Sequence, residues 1–225
     1  VRFLLFAVYC RECGFGHLFL AHHSDVQAET VLFRLAKGSG LDGLSGMQSI
    51  QSYDEHLMLV RPLLDVSKDD LRHFCQAQGI DFIDDPSNEN EKFARIRLRK
   101  ARDILEAEGL SSKRLGVTAK RLSRARKALD TIAETAYKEA VFKNDTNCIV
   151  FNFDFLKQQP DEIILRCVLK AFETFRPEAD YAPRMEKVEA VLDDLISSGA
   201  FRKRTLGGVI FERDDKMGHI LLTKE

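Results

Sequence analysis

Ionisable and polar side chains crowd into segment 21–30, which reads Ala-His-His-Ser-Asp-Val-Gln-Ala-Glu-Thr. The apolar stretch 17–22 predicts a buried strand, and the amphipathic stretch 25–37 predicts a helix with Ser24 and Gln27 as its capping box. Ligands bind at the carboxyl edge of an open α/β sheet, and the N–H groups at a helix N-terminus suit a phosphate. We therefore expect a ligand site here; the alternative is an ordinary capped helix with solvated polar residues.

Five ionisable or polar residues of this segment are expected at one mouth of the sheet: His22, His23, Asp25, Gln27 and Glu29. Neighbouring strand residues point to opposite faces, so the two histidines do not predict a shared metal ion. Cys10-x-x-Cys13 has the spacing of half a zinc site, but the sequence contains no second pair with this spacing. We expect these two cysteines to be structural thiols, and we assign no residue of the sequence as a metal ligand.

A glycine-rich turn and an arginine lie further along the chain. Segment 37–43 supports a tight loop but lacks the Lys-Ser/Thr ending of a Walker phosphate loop. Arg61, followed by a proline, ends an apolar stretch. It could aim its guanidinium into the same sheet edge or form a surface ion pair, and the sequence leaves both open.

Charge is distributed unevenly along a chain whose net charge is −1. The net charge is −7 for residues 1–91, +10 for residues 92–127 and −4 for residues 128–225. A local positive field favours a polyanion such as nucleic acid, with a solvated helix face as the alternative. No base-reading pattern accompanies these cations, so we expect them to position a nucleic acid through its phosphates. The candidates are Arg97, Arg99, Lys113, Arg114, Lys120, Arg121 and Arg124.

Alternating strand and helix patterns in the first half predict an α/β domain with a parallel sheet and helices on both faces. Further strands are expected at 57–60 and 80–83, with a helix between Ser67 and Gly79. A mostly helical α+β domain follows, and we place the boundary near residue 108, giving domains 1–108 and 109–225. Residues 91–143 are expected to be helical, with a break around 109–112 at this boundary. The further expected helices are 160–175 and 183–197, and the expected strands are 148–155, 201–206, 209–212 and 219–223.

Composition excludes several classes of protein. The apolar run 3–9 is far shorter than the ~20 residues that span a bilayer, so we expect no membrane partner. Five cysteines, an odd number without a secretory leader, predict reduced thiols in the cytoplasm.

Four ordered motifs resemble the bacterial tRNA(Ile)-lysidine synthetases. The first is the block 21–47, from Ala-His-His-Ser-Asp to Leu-Ser-Gly-Met. Arg-Pro-Leu-Leu at 61–64, Asp-Pro-Ser-Asn at 85–88 and Phe-Ala-Arg-Ile-Arg-Leu-Arg at 93–99 follow in the family's order. Arg-Thr-Leu-Gly-Gly at 204–208 is similar to a hairpin of the family's second domain, so the resemblance spans nearly the whole chain.

The resemblance implies an N-type ATP pyrophosphatase with a Rossmann-like domain. Its expected substrates and cofactors are ATP, Mg²⁺, L-lysine and tRNA(Ile) with a CAU anticodon. ATP adenylates C2 of the wobble cytidine, and lysine then displaces AMP to form lysidine. The implied catalytic residues are His22, Asp25 and Arg95. The implied ATP- or substrate-binding residues are His23, Gln27, Glu29, Arg34, Gly38, Ser39, Gly40, Arg61, Asp85 and Asn88. The resemblance leaves open whether the protein forms a homodimer.

Three departures from the family pattern keep other functions open. The family's Ser-Gly-Gly-x-Asp-Ser phosphate loop is absent from these residues, and we expect it upstream. Val26 replaces the second Asp of His-His-x-Asp-Asp-Gln, and Ile96 replaces the Asn of Arg-Asn-x-x-Arg. A tRNA thiolase and a catalytically silent tRNA-binding fragment are the alternatives.

Overall fold

The computed structural model describes residues 2–83, 97–98, 101–175, 183–197 and 199–225. The chain divides into two compact units, Val1–Arg126 and Lys127–Glu225. This division falls within one long helix, because residues 112–140 are continuously helical. The functional boundary near residue 108 stays a prediction.

The first unit combines helices with a small mixed sheet. Its elements are α1 (Arg2–Glu12), β1 (His17–Phe19), α2 (Ser24–Leu35), α3 (Leu41–Leu44), β2 (Ile50–Ser52), β3 (Met58–Val60), α4 (Lys68–Ala77), α5 (Arg102–Ala107) and the first part of α6 (Ser112–Ala140). The strand order is β1-β3-β2, with β1 parallel and β2 antiparallel to β3. The α/β class is thus confirmed, and the described sheet is mixed.

The strand predictions in this unit need three corrections. β1 ends at Phe19 and is not fully buried, since Phe19 is 68% exposed. Residues 80–83 form no strand, and the antiparallel strand β2 was not predicted. Strands of three residues are too short for the alternation of apolar and polar residues to identify them.

Apolar side chains of α1 and the sheet form a small core. Ala7 and Cys10 of α1 pack with Leu57 and Leu59 around β3. The parallel pair β1–β3 fixes the start of the segment that leads into α2, because Leu20 N donates to Val60 O over 2.8 Å. This pairing places the segment with the two adjacent histidines directly after the end of β1.

The second unit is built on a five-stranded antiparallel sheet. Its elements are the last part of α6, β4 (Val141–Asn144), β5 (Cys148–Asn152), α7 (Phe153–Leu156), α8 (Asp161–Phe175), α9 (Met185–Ile196), β6 (Arg204–Leu206), β7 (Val209–Asp214) and β8 (His219–Lys224). The strand order is β4-β5-β8-β7-β6. The three strands near the C-terminus confirm the prediction, whereas β4 begins in a stretch predicted to be helical and β5 ends three residues earlier than predicted.

Alternating side chains of this sheet form the larger core. Ile149 and Phe151 of β5, Phe211 of β7 and Leu222 of β8 are fully buried among α8 and α9 residues. β6 and β7 are joined through Gly207 and Gly208, whose φ angles of 60° and 77° require glycine at this tight turn. Within the described part of the chain, no helix is both long and apolar enough to cross a membrane.

Candidate functional site

A cavity of about 330 Å³ opens beside α2 in the first unit. Its aliphatic walls include Val26, Leu32, Leu98, Leu105, Leu110 and Leu115. Its polar lining includes His23, Asp25, Glu29, Lys68, Arg102 and Ser112. Aliphatic walls with a few converging charges are typical of a small-molecule site.

The helix α2 supplies one wall because of how it begins and packs. His23 is its N-cap, with φ −115° and ψ 176°, and no side chain caps it, so the predicted capping box of Ser24 and Gln27 is wrong. Ala28 and Val31 pack against Leu115 and Ala119 of α6. This apolar seam holds the two helices together beside the cavity.

Asp25 is the most heavily bonded group of the site, with 8% of its surface exposed. Its Oδ1 accepts from Ser112 Oγ at 3.0 Å and lies 3.3 Å from Arg102 Nη1. Its Oδ2 accepts from the Lys68 amide at 2.8 Å and lies 3.3 Å from His23 Nδ1. Four groups thus surround one carboxylate.

These contacts keep the Asp25 carboxylate charged. Burial on its own raises the pKa of Asp25, but the hydrogen bonds from the Lys68 amide and Ser112, with the charges of Arg102 and His23, outweigh it and leave the pKa lowered. Because a carboxylate has about four acceptor positions, Asp25 has little capacity left for a metal ion.

Asp25 is not free to serve as a ligand of the Mg²⁺ that the resemblance implies. Among the described residues, no group of three or more His, Cys, Asp or Glu side chains could hold a metal ion. Asp25, the carboxylate nearest the expected position, is occupied by protein donors.

The other residues of segment 21–30 divide between the cavity and the protein interior. His23 and Glu29 line the cavity, and Glu29 is 8% exposed. His22 is not among the described residues that line the cavity. Gln27 turns away from the cavity and bonds to the main chain of Met47. Of the five residues expected together at one edge of the sheet, His23, Asp25 and Glu29 therefore line the same cavity.

The predicted glycine-rich segment forms a turn whose main chain bonds to Arg34. Gly38, with φ 72°, ends the α2 region, and the Ser39 amide donates to Arg34 O over 3.0 Å. Arg34 Nη1 donates to Gly43 O at 2.8 Å and Gly46 O at 3.2 Å. In the part of the chain that is described, the cavity lining includes none of Arg34, Gly38, Ser39 and Gly40. Their ligand-binding roles stay predictions.

Arg61 follows neither of the two arrangements left open by the sequence. It is 6% exposed, and its Nη1 donates to Gln48 O at 2.8 Å and to Gln51 Oε1 at 3.3 Å. Burial lowers the pKa of its guanidinium. Arg61 therefore fixes the segment around β2 to the end of β3.

The basic residues at the start of α6 lie on its surface. Lys113, Arg114, Lys120, Arg121 and Arg124 are all exposed. Lys120 pairs with Asp65 at 2.7 Å, and Arg114 donates to Gly109 O at 3.3 Å. Among the described residues, Lys113, Arg121 and Arg124 have no acidic partner. Arg97 is also exposed.

Some predicted site residues cannot be placed. Asp85, Asn88, Arg95 and Arg99 lie outside the described residues.

Sequence reasoning missed four polar residues of the cavity: Lys68, Arg102, Glu106 and Ser112. Arg102 Nε donates to Glu106 Oε1 at 3.0 Å. Ser112 follows the Gly-Leu-Ser break, a position typical of a helix start. Lys68, Arg102 and Ser112 are the first residues of their helices, and this is the sequence signal that could have indicated them; Glu106 has no such signal.

Comparison with known proteins places the site in a family. Residues 1–105 match the family model described as the PP-loop domain. The tRNA(Ile)-lysidine synthase of Methylobacterium sp. strain 4-46 is 36% identical over 229 residues, which covers 100% of this chain and 66% of that protein. That of Methylobacterium nodulans is 36% identical over 215 residues, or 93% of this chain and 63% of the relative.

A more distant relative gives the same result. The tRNA(Ile)-lysidine synthase of Wolbachia pipientis wMel is 30% identical over 207 residues, covering 92% of this chain and 48% of that protein. The chain spans about half to two thirds of the length of these relatives. Residues 1–105 thus match the PP-loop domain, and the relatives of the chain include tRNA(Ile)-lysidine synthases.

Proposed function

We propose that the chain carries out the chemistry of a tRNA(Ile)-lysidine synthase, an ATP-dependent ligase that forms a C–N bond. The observation that carries this proposal is the alignment of 100% of the chain with one such enzyme at 36% identity. The cavity beside α2 supplies a volume in which a small substrate can bind.

The proposed reaction has two steps. In the first, the C2 oxygen of the wobble cytidine in tRNA(Ile) with a CAU anticodon attacks the α-phosphorus of ATP, and pyrophosphate leaves. In the second, the ε-amine of lysine attacks C2, and AMP leaves with the former C2 oxygen. The amine must lose a proton before it attacks. His22 and Arg95 are our candidates for contacts with the transferring phosphoryl group, where fixed donors and cations stabilise developing charge.

The cavity suits lysine as the second substrate. A flexible four-carbon chain can pack against Leu32, Leu105 and Leu115, while its charged end needs a carboxylate. Glu29 and Glu106 line the same cavity. Because Glu29 is buried, its attraction for a cation is screened less by solvent than that of a surface carboxylate.

The start of α6 supplies the proposed contact with the tRNA backbone. Its exposed cations without an acidic partner would engage phosphates and add a salt-dependent contribution to affinity. We assign the tRNA-binding role to residues 109–225, with Arg97 and Arg99 contributing from the first domain. Lys120 and Arg114 belong to the same surface, although each already has a protein partner.

ATP and Mg²⁺ are the proposed cofactors. Asp25 is occupied by protein donors and is not assigned to the metal. A tRNA substrate places the proposed enzyme in the cytoplasm. Both steps can be written with one chain, so the proposal does not require a homodimer.

Mass spectrometry of tRNA(Ile) tests the proposal. Full-length protein is incubated with ATP, lysine and tRNA(Ile), and the digested nucleosides are analysed. Lysidine formation that requires both ATP and lysine supports the proposal. A thio-nucleoside would indicate the thiolase alternative, and tRNA binding without any modified nucleoside would indicate the silent binding module.

A further inference from the structure

The partners of Asp25 come from four different places in the chain. His23 is the N-cap of α2, Lys68 is the first residue of α4, Arg102 is the first residue of α5 and Ser112 is the first residue of α6. Asp25 and all four partners line the cavity. One carboxylate therefore holds the beginnings of several elements that form the cavity walls.

The separation along the sequence shows how much of the site depends on this contact. Ser112 lies 87 positions from Asp25, and Lys68 lies 43 positions away. The Lys68 amide belongs to the first turn of α4, where N–H groups lack helical acceptors. A buried carboxylate that accepts this N–H satisfies the helix start and interacts favourably with its dipole.

Two further contacts extend the same arrangement. Arg102 bridges Asp25 and Glu106, so the carboxylate also orients a second acidic group of the cavity. His23 Nδ1 lies 3.3 Å from Asp25 Oδ2, so the imidazole is close to the same carboxylate. The aliphatic seam of Ala28, Val31, Leu115 and Ala119 lies next to these polar contacts.

We propose that Asp25 is a positioning residue, which fixes the walls of the substrate cavity through Lys68, Arg102 and Ser112 and takes no part in metal binding or proton transfer. Its oxygens already accept from protein donors and face an arginine, so neither is directed to a substrate. This role replaces the catalytic role that the sequence predicted for Asp25. The effect on lysine binding rests on the proposed function, whereas the effect on the helix starts does not.

The first experiment measures backbone hydrogen exchange in the 225-residue chain. Asp25→Asn removes the charge that faces Arg102, and Ser112→Ala removes one tether while keeping the carboxylate. Both should increase exchange about tenfold at the Lys68 amide or in residues 105–107 and 115–119, since a charge-assisted bond is lost. Asp81→Asn, an exposed change of the same charge outside the helices, is the matched control and should leave these rates unchanged.

The second experiment measures lysidine formation by the same variants of the full-length protein. A positioning role predicts that the KM for lysine rises about tenfold in Asp25→Asn and in Ser112→Ala. The kcat and the Mg²⁺ concentration for half-maximal rate should stay near the values of the unaltered protein. A merely structural role would change stability without this separation of KM from kcat.

Two results would overturn the inference. One is unchanged exchange at all of these amides in a folded Asp25→Asn variant. The other is a Mg²⁺ requirement that increases in Asp25→Asn but not in Ser112→Ala, which would make Asp25 a metal ligand. If the unaltered protein makes no lysidine, the proposed function fails, and the exchange experiment alone still decides whether Asp25 fixes the helix starts.

Discussion

Gln27 forms two hydrogen bonds with the main chain of Met47. Its Nε2 donates to Met47 O at 2.9 Å, and its Oε1 accepts from Met47 N at 2.8 Å. Gln27 is 5% exposed, and Gly46 beside it has a φ of 71°. A Cβ at Gly46 would lie 2.5 Å from Gln27 Nε2, so the loop and the side chain fit only with glycine there. We infer that Gln27 stabilises the loop after α3.

Replacing Gln27 with Ala should destabilise the chain by about 2–3 kcal/mol, because a buried N–H and a buried carbonyl lose their partners. Urea denaturation measures the free energy of unfolding. Gln76→Ala, an exposed change of the same type on α4, is the control and should change stability by less than about 0.5 kcal/mol. An equally small effect at Gln27 would contradict the structural role.

The spacing of residues 21–30 indicated a concentration of polar groups but not their separate directions. His23, Asp25 and Glu29 reach one cavity, whereas Gln27 reaches Met47, twenty positions away. Successive residues of a helix point about 100° apart around its axis, so helical periodicity separates the direction of Gln27 from those of its neighbours. It does not identify which loop packs against Gln27. Arg61 shows the same limit. It bonds to the backbone oxygen of Gln48 and to the side-chain amide oxygen of Gln51, and no motif indicates either acceptor.

At the scale of elements, the exposed side of α6 carries a row of cations. Lys113 and Arg124 lie on one face of the helix, about 16 Å apart along its axis. Arg121 lies one turn before Arg124. Such a row can follow several phosphates of a nucleic acid backbone. The buried side of the same helix packs Leu115 and Ala119 against α2. One element therefore contributes to both the cavity and the proposed tRNA surface.

Reversing two of these charges, Arg121→Glu with Arg124→Glu, should weaken tRNA binding more than tenfold and by a similar factor for any tRNA. The slope of log affinity against log salt should fall by about two. Filter binding at several salt concentrations measures both quantities. Lys37→Glu with Lys216→Glu changes the total charge equally at two exposed positions, and it should have a much smaller effect. Equal effects in the two double variants would show that only net charge matters.

The elements themselves were predicted unequally from sequence. The helix start at Ser67 is confirmed: Ser67 Oγ accepts from the Asp70 amide, and Asp70 completes the capping box. The same reasoning fails at Ser24, because His23 is the N-cap there and Gln27 bonds elsewhere. A capping motif predicts the first residue of a helix well when its side chains have no partners elsewhere in the fold. β4 was missed because its residues continue a helical pattern.

At the scale of the whole molecule, the two units differ in chemistry. The second unit encloses a large apolar core, in which Phe151, Phe175 and Phe211 are almost completely buried. The first unit has smaller apolar clusters and contains the cavity with its buried Asp25 and Glu29. We therefore expect changes in the first unit to affect substrate binding directly.

Narrowing the cavity tests most directly whether lysine binds there. Leu110 lines the cavity and is 41% exposed, so a larger side chain can be accommodated without disrupting a core. Leu110→Trp would occupy part of the volume beside α2. Leu35→Trp, at a 55% exposed position at the end of α2, is the matched control.

The measurement is the rate of lysidine formation against lysine concentration in the full-length protein. In Leu110→Trp, the KM for lysine should rise about tenfold or more, because part of the substrate's volume is taken, while the dissociation constant for tRNA stays unchanged. Leu35→Trp should leave both constants unchanged. An unaltered lysine KM in a folded Leu110→Trp variant, or a loss of tRNA affinity alone, would contradict the assignment of this cavity to lysine.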